Sequence, residues 1–590
     1  MHRRTLGSWT IVAAGLALCL GGCPADQGQP PDQPASEDAG AAVVAPPTEP
    51  VVAPPPTGVA APAVPSKVIQ EVEPNEATKQ AMELKEPCVV EAALEAAPDP
   101  KKPAIDWYRI ALGARKAVSL ELSGVPEQNL KLSFLDRDLN AMFEVDDKGP
   151  GEGERFPNLT VEQAVYVKVS GDKGGAGGAY KLSVAARDLG TDEELEHNGR
   201  YSYATPLKLG QGMQGFLGCM ADEDWYLLDL QELPVGSVLR IELTGVEGVR
   251  PQLTVADKEE RRPLLEVKAS EAGGGLTVRN LGLPPNPVSV YLQLKSAWVP
   301  GPQPKKFVRT ANPTAAYKLT VSSEAGGDDL EKEPDDTAAQ AMPLLDGQKM
   351  RGYLSAPNDI DYYKLEVEKP SLLSAELVAP ARVDLRLSVV DPAKKDKDED
   401  FQLLRVDDGK VAEPETIVNC ALQPGTNWLR IEGSWKKVDG KWVRDFFNLD
   451  ETYSLSVSLR ADEGREEREP NDAAAKATAI KVGESMRGNL HPRGDVDAYL
   501  LDLSGQDGPR NTVVECTGIP KLDISLKLLG PEKDEKGNAK AIATSAKGKG
   551  EEKEELSKEL MPGEYVILVG GSPSSESNAK DQYVLTVTQP

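Results

Sequence analysis

Histidine is nearly missing. The chain has three in 590 residues, and one of them, His2, lies in a leader. Such a chain is poorly equipped for histidine-based acid–base or zinc chemistry. His197 and His491 have no nucleophile motif of the G-x-S-x-G kind beside them, and no H-E-x-x-H occurs. Both are expected to be exposed loop residues. Cysteine is also scarce, with six in all. Cys19 and Cys23 sit at the leader, which leaves Cys88, Cys219, Cys420 and Cys516 widely spaced. No close pair remains to build a zinc site. Single buried thiols are the first reading, and a Cys88–Cys219 bridge is the alternative open to an exported protein. Positive charge is short as well: 67 Lys plus Arg stand against 94 Asp plus Glu, a net charge of −27. An acidic surface repels phosphate backbones, which argues against nucleic acid as a partner.

Long apolar runs are absent except at the start. Arg3 and Arg4 precede the apolar stretch Thr10–Leu20, which is too short for a stable membrane span. It ends in Leu20-Gly21-Gly22-Cys23. This order resembles the lipobox of bacterial lipoproteins. The resemblance implies a signal peptide over 1–22 and lipidation of Cys23, with ordinary secretory cleavage nearby as the alternative. Two or three acyl chains supply the hydrophobic energy that holds a protein stably on a membrane. Residues 23–66 are rich in Pro and Ala, as in "APPTEPVVAPPPTGVAAPAVP", and show no core-forming periodicity. They are expected to be a disordered or polyproline-like tether. At roughly 3.1 Å per residue it reaches on the order of 100 Å. The expected location is the cell envelope, lipid-anchored, with the outer membrane preferred to the inner.

The rest of the chain repeats itself. "EVEPNEATKQAMEL" begins at Glu71, "ELEHNGRYSYATPLKL" at Glu194, "EKEPDDTAAQAMPLL" at Glu331 and "EREPNDAAAKATAI" at Glu467. Downstream of each frame comes an Asp-x-Tyr segment, with Tyr108, Tyr226, Tyr363 and Tyr499 in step. Each unit closes on a similar strand, starting at Tyr180, Tyr317, Tyr453 and Tyr583. Between these marks run alternating apolar stretches such as "LLSAELV" and "LRLSVVD", with Pro-Gly turns at 424–425 and 562–563. About seven or eight short alternating strands per unit argue for an all-β fold. The expected architecture is four tandem β-sandwich or jelly-roll modules, over 67–188, 189–325, 326–461 and 462–590. The Ala-rich segment after each frame is expected to form one short helix capped by Asn or Asp. Trp107, Trp225 and Trp428 fall on strands and are expected in the core. Trp298 and Trp435 lie in less regular stretches and are candidates for a ligand surface.

The order of Glu-x-Glu-Pro-Asn frame, Asp-x-Tyr strand, Pro-Gly turn and closing Tyr-x-Leu-x-Val resembles the bacterial pre-peptidase C-terminal domain, a relative of clostridial collagen-binding domains. The third and fourth units match best. The first has Asp99 and Asp106 in place of the paired acids, and the second has His197 and Gly199 where the frame has Pro and acid. In the collagen-binding relatives the frame and the later Asp cluster bind calcium. Carried over, this implies Glu331, Glu333, Asp335, Asp336, Asp359 and Asp361 in the third unit. In the fourth it implies Glu467, Glu469, Asn471, Asp472, Asp495 and Asp497. Oxygen ligands of this kind suit Ca²⁺, and alternate residues of an extended segment point the same way. The competing reading is a linker, a turn and a strand start with no metal. No stretch of useful length is left for a catalytic domain. The expected role is therefore non-enzymatic binding or scaffolding, with a protein or polysaccharide at the cell surface as partner. A polysaccharide- or fibre-binding adhesin and an accessory of an exported hydrolase are the alternatives.

Overall fold

Alternation of apolar and polar residues becomes strand almost everywhere it occurs. The computed structural model describes residues 65–590 apart from 97–98, 100, 260, 284–287, 304, 396–400, 439, 445 and 534–538. The leader, Cys23 and the tether through Val64 lie outside the described residues. Among the described residues the chain is all-β, with three single 3-10 turns and no α-helix.

The third repeat shows the pattern. One sheet has five strands in the order Met342–Leu344, Ile360–Val367, Gly425–Gly433, Leu385–Val390, Gln402–Val406. A second has four: Lys349–Gly352, Tyr453–Ala461, Ser371–Val378, Glu415–Leu422. The first strand runs parallel to its neighbour and the other ladders are antiparallel. Inward residues of both sheets, among them Tyr363, Leu387, Ile431, Leu373 and Leu455, share one buried cluster. Each such side chain contributes about 1.5–3 kcal/mol by leaving water. Comparable clusters span Leu84–Val184, Leu207–Val321 and Ile480–Val587. Each repeat has nine or more strands. The extra ones, such as Met342–Leu344, are too short for a period of two to be visible.

The repeats are not separate modules. Each acidic frame is an extended segment held between two repeats. Glu331 N–H donates to Arg351 C=O (2.8 Å) within its own repeat, while Glu333 N–H donates to Asn280 C=O (3.1 Å) of the preceding one. Gly282 N–H returns a bond to Glu333 C=O (2.7 Å). The same exchange joins Glu469 to Asn419 and Ala421, and Thr160 N–H to Glu196 C=O. Cys219 of the second repeat packs into the first repeat's core. The result is a continuous array, of the kind in which neighbour interfaces carry part of the stability.

Three further expectations change, and the first reading of the cysteines holds. The Ala-rich segments form only 3-10 turns at Thr78–Gln80, Tyr201–Tyr203 and Ala474–Lys476, with no side-chain cap. The frame's Asn is engaged elsewhere: Asn471 Oδ1 accepts from Ala498 N–H (3.2 Å) and Asn75 Nδ2 donates to Glu71 (2.7 Å). The four cysteines are buried free thiols, so Cys88 and Cys219 are not bridged. Trp107, Trp225 and Trp428 are half-buried, on the face of their strands that alternates with the core. His491 is buried, because the third repeat covers it: its Nε2 lies 2.6 Å from Thr416 C=O. His197 is half-buried between the Phe143 and Tyr203 rings.

Candidate functional site: carboxylate clusters at the repeat junctions

In the third repeat Glu331, Glu333 and Asp335 alternate along the extended frame, so their side chains point one way. All three are buried, and ligand oxygens from each lie within 4.8 Å of one another. Strand Ile360–Val367 brings in Asp361, also buried, and the loop before it brings half-buried Asp359. Glu333, Asp359 and Asp361 form a second such triplet. Asp336 is exposed, although its side chain faces the same loop. The structure therefore gathers the six predicted residues at one junction, five of them at least partly sheltered.

What surrounds them is a mixture of donors and gaps. Asn280, from the preceding repeat, donates Nδ2 to both Glu331 oxygens (2.6 Å each), and Tyr353 N–H donates to Oε2 (3.1 Å). Asp359 accepts from Ser355 N–H and Ile360 N–H. Tyr453 O–H donates to Asp361 Oδ2, and its oxygen sits 2.6 Å from that of Tyr363. Glu333 Oε2, both Asp335 oxygens and Asp361 Oδ1 are buried with no hydrogen-bond partner. A buried polar atom left unpaired costs on the order of 1–3 kcal/mol, and more if charged.

The electrostatics follow. Burial pushes Glu331 up to about 8, and the nearby Asp359 carboxylate adds to it. Burial, then Glu331, raises Asp335 to about 10. Burial and Asp336 raise Asp359 to about 7, and burial with four neighbouring carboxylates holds Asp361 well above its ordinary value. Each acid in the cluster destabilises the ionised form of the next. Protons or a cation must balance the charge.

The fourth repeat repeats the arrangement. Glu467, Glu469, Asn471, Asp495 and Asp497 are buried and Asp472 is exposed. Asn419 Nδ2 and Asn489 N–H each donate to Glu467 Oε1 at 2.7 Å. Burial raises Glu467 to about 8 and Glu469 to about 7. Tyr583 O–H donates to Asp497 (2.6 Å) and pairs with Tyr499 (2.6 Å).

The second repeat, the poorer match in sequence, has an equivalent cluster. Glu194, Glu196 and Asp224 are all buried with ligand oxygens within 4.8 Å, and Asp222 lies alongside, raised to about 8 by burial and Glu194. Asn158 Nδ2 donates to Glu194 (2.5 Å) across the junction. In the first repeat Glu71, Glu73 and Asp106 converge with more exposure. There the tyrosine pair Tyr108–Tyr180 lies at 2.6 Å, and Tyr180 O–H donates to Asp106 (2.6 Å).

Two contributors were missed in the sequence. One is the junction Asn (Asn158, Asn280, Asn419), which stands on a strand of the preceding repeat, followed by an apolar residue or Cys. The strand pairing slips by a residue near each one. The other is a glycine. A Cβ on Gly352 or Gly488 would lie 2.3 Å from the Tyr453 or Tyr583 hydroxyl as those rings are placed, whereas the first repeat sets Ala92 opposite Tyr180. A signal existed for the glycine, since Gly352 and Gly488 stand at the same distance from their frames, whereas the Asn lies 36, 51 and 48 residues before the Glu it meets and left no such mark.

The donor set fits a hard cation: carboxylate and amide oxygens, several sheltered and unsatisfied, and no thiol or imidazole among the predicted ligands.

No protein-family model and no curated protein matches the chain. Among solved structures, a pre-peptidase C-terminal domain of a collagenase from Bacillus anthracis is similar over 21% of this chain and 100% of its own, with 16% identity and a TM-score of 0.16. The Sulfolobus turreted icosahedral virus structure matches over 62% of this chain and 81% of its own, at 9% identity and TM-score 0.13. A glycoside hydrolase family 32 structure from Bifidobacterium adolescentis covers 82% of this chain and 99% of its own, at 8% identity and TM-score 0.11.

Proposed function

We propose that the chain is a non-enzymatic, lipid-anchored scaffold of the cell envelope, built from four β-sandwich repeats of the pre-peptidase C-terminal type and stiffened by calcium at its junctions. The observation that carries this reading is the placement of the carboxylate clusters. In repeats two to four the cluster accepts a hydrogen bond from an Asn of the repeat before it. A cation held there is tied to both repeats, so its binding energy resists their separation. In the third junction Glu331, Glu333, Asp335, Asp359 and Asp361 would hold it, and the ion would supply charge balance. The tyrosine pair orients Asp361, and Asn280 orients Glu331. Lipidation at Cys23 and a long tether would present the array away from the membrane, with a surface protein or polysaccharide as partner.

Limited proteolysis of the mature chain tests the scaffold. Calcium at about 1 mM, a level suited to extracellular modules, is expected to protect the junction segments around 326–336 and 462–472 relative to chelator. Equal cleavage under both conditions would refute calcium stiffening. Incorporation of a fatty-acid analogue, lost in Cys23→Ser, tests the anchor.

A further inference from the structure

The third repeat carries an insertion with no chemistry assigned to it so far. After the strand Gly425–Gly433 comes a hairpin, Lys436–Val438 paired antiparallel with Lys441–Val443. It leaves Trp435 45% and Trp442 64% exposed. Water-exposed indoles are costly unless something covers them, and two together on a polar-rimmed patch mark a binding surface. They wall a groove of about 660 Å³, closed on the other side by the loop Ala356–Asn358 and by Arg250 and Lys268 of the second repeat. That volume lies within the range of ligand sites.

The charge of the groove is the reverse of the chain's. Its lining holds Arg250, Lys268, Lys441 and Arg444 and no carboxylate, in a protein of net charge −27. Three of these cations are held in place by their neighbours, Lys268 by an ion pair with Glu266 (3.1 Å). Arg444 pairs with buried Glu432 and stacks 5.2 Å from the Trp435 ring centre. Arg250 Nε donates to Ala269 C=O (2.7 Å). Lys441 is exposed.

We propose that this groove binds a short stretch of carboxylated polysaccharide, a uronate-type glycan. The apolar C–H face of a sugar ring stacks on an indole, and its carboxylate meets Lys441, Lys268 or Arg250. The acidic chain beyond the groove repels any long polyanion, carboxylate or phosphate, so only a short stretch is held, and the oligo-dT arm of the test separates the two. The adjoining cavity of about 340 Å³ shares Arg250, Lys268 and the Ala356–Asn358 loop, and its far wall includes Glu333, Asp336 and Asp359. The glycan therefore lies beside the third carboxylate cluster, with its own carboxylates directed to the cationic side. This inference rests on the binding role proposed above and supplies the ligand class for it.

The test is a tryptophan-fluorescence titration of the mature full chain with a galacturonate pentamer, a neutral 1,4-linked glucose pentamer and a short oligo-dT. The galacturonate pentamer is expected to bind, more weakly as salt rises. Affinity should fall at least about tenfold in Trp442→Ala, the scale of losing an aromatic anchor, and several-fold in Lys441→Gln. Phe307→Ala, an exposed aromatic outside the groove on the second repeat's hairpin Val299–Pro300 with Phe307–Val308, should leave it unchanged. Equal affinity in Trp442→Ala and Trp435→Ala would overturn the groove, as would equal binding of the neutral glucan or preference for oligo-dT. Retention of a neutral polymer or protein fibre without galacturonate binding would overturn the groove alone. Retention of nothing from a wider panel of envelope polymers would overturn the binding role with it.

Discussion

Raising the pH of the cation-free protein from 5 to 8 should destabilise it, against the usual behaviour of surface carboxylates. Glu331 shows why. Its ordinary value is 4.5, and burial in the folded chain raises it to about 8. Between those limits the folded state holds a proton that the unfolded state has released. Unfolding then becomes easier by about 1.4 kcal/mol per pH unit for each such group. The stabilising proton is fully effective below 4.5 and is lost as pH rises through about 8. Across that window Glu331 alone accounts for a loss of roughly 5 kcal/mol. Asp359, raised to about 7, acts in the same direction. If calcium occupies the cluster as proposed, it substitutes for the protons and should flatten the pH dependence and restore stability at pH 8. The assay is scanning calorimetry of the mature chain at pH 5, 6.5 and 8, in chelator and in calcium. The transition that includes the third repeat should move down with pH in chelator only. Asp359→Asn, which removes a carboxyl that is ionised at pH 8 because it titrates at about 7, should raise the melting temperature at pH 8 in chelator. Stability that rises from pH 5 to 8 in chelator would refute the reasoning, because it would mean that these carboxylates are ionised and well solvated.

Two further substitutions probe the junction. Asn280→Ala removes the amide that donates to both Glu331 oxygens. It should cost about 1–3 kcal/mol and speed hydrogen exchange across 330–335, while the second repeat's own core stays protected. Gly352→Ala places a methyl 2.3 Å from the Tyr453 hydroxyl. It should destabilise the third repeat by about 1–3 kcal/mol, the scale of overpacking, seen as a lower urea midpoint, and a wild-type midpoint would contradict the tight glycine–tyrosine contact.

Much of this was legible because the chain says it four times. The all-β character followed from alternation, and the convergence of frame and Asp-x-Tyr acids was what the family resemblance implied. Contacts between repeats left no such mark. His491 looks like a loop residue within its own unit, and it is the third repeat, through the Thr416 carbonyl and the Asp408 carboxylate, that covers it. Asn280 looks like an ordinary strand residue until the next frame lies against it. The second repeat was underrated because His197 and Gly199 break the frame. Those positions alternate with the ligand-facing ones, and His197 packs on Phe143 and Tyr203 while Glu194 and Glu196 keep their places. The half-buried strand tryptophans show the same limit: alternation gives the two faces of a strand without saying which one a large aromatic takes.

The most direct test of the account is a calorimetric calcium titration of the mature chain at pH 7, run in two buffers of different ionisation enthalpy. The account predicts saturable binding approaching one ion per carboxylate cluster, with protons released as calcium enters and one site lost in Asp361→Asn. No heat and no proton release at millimolar calcium would contradict it.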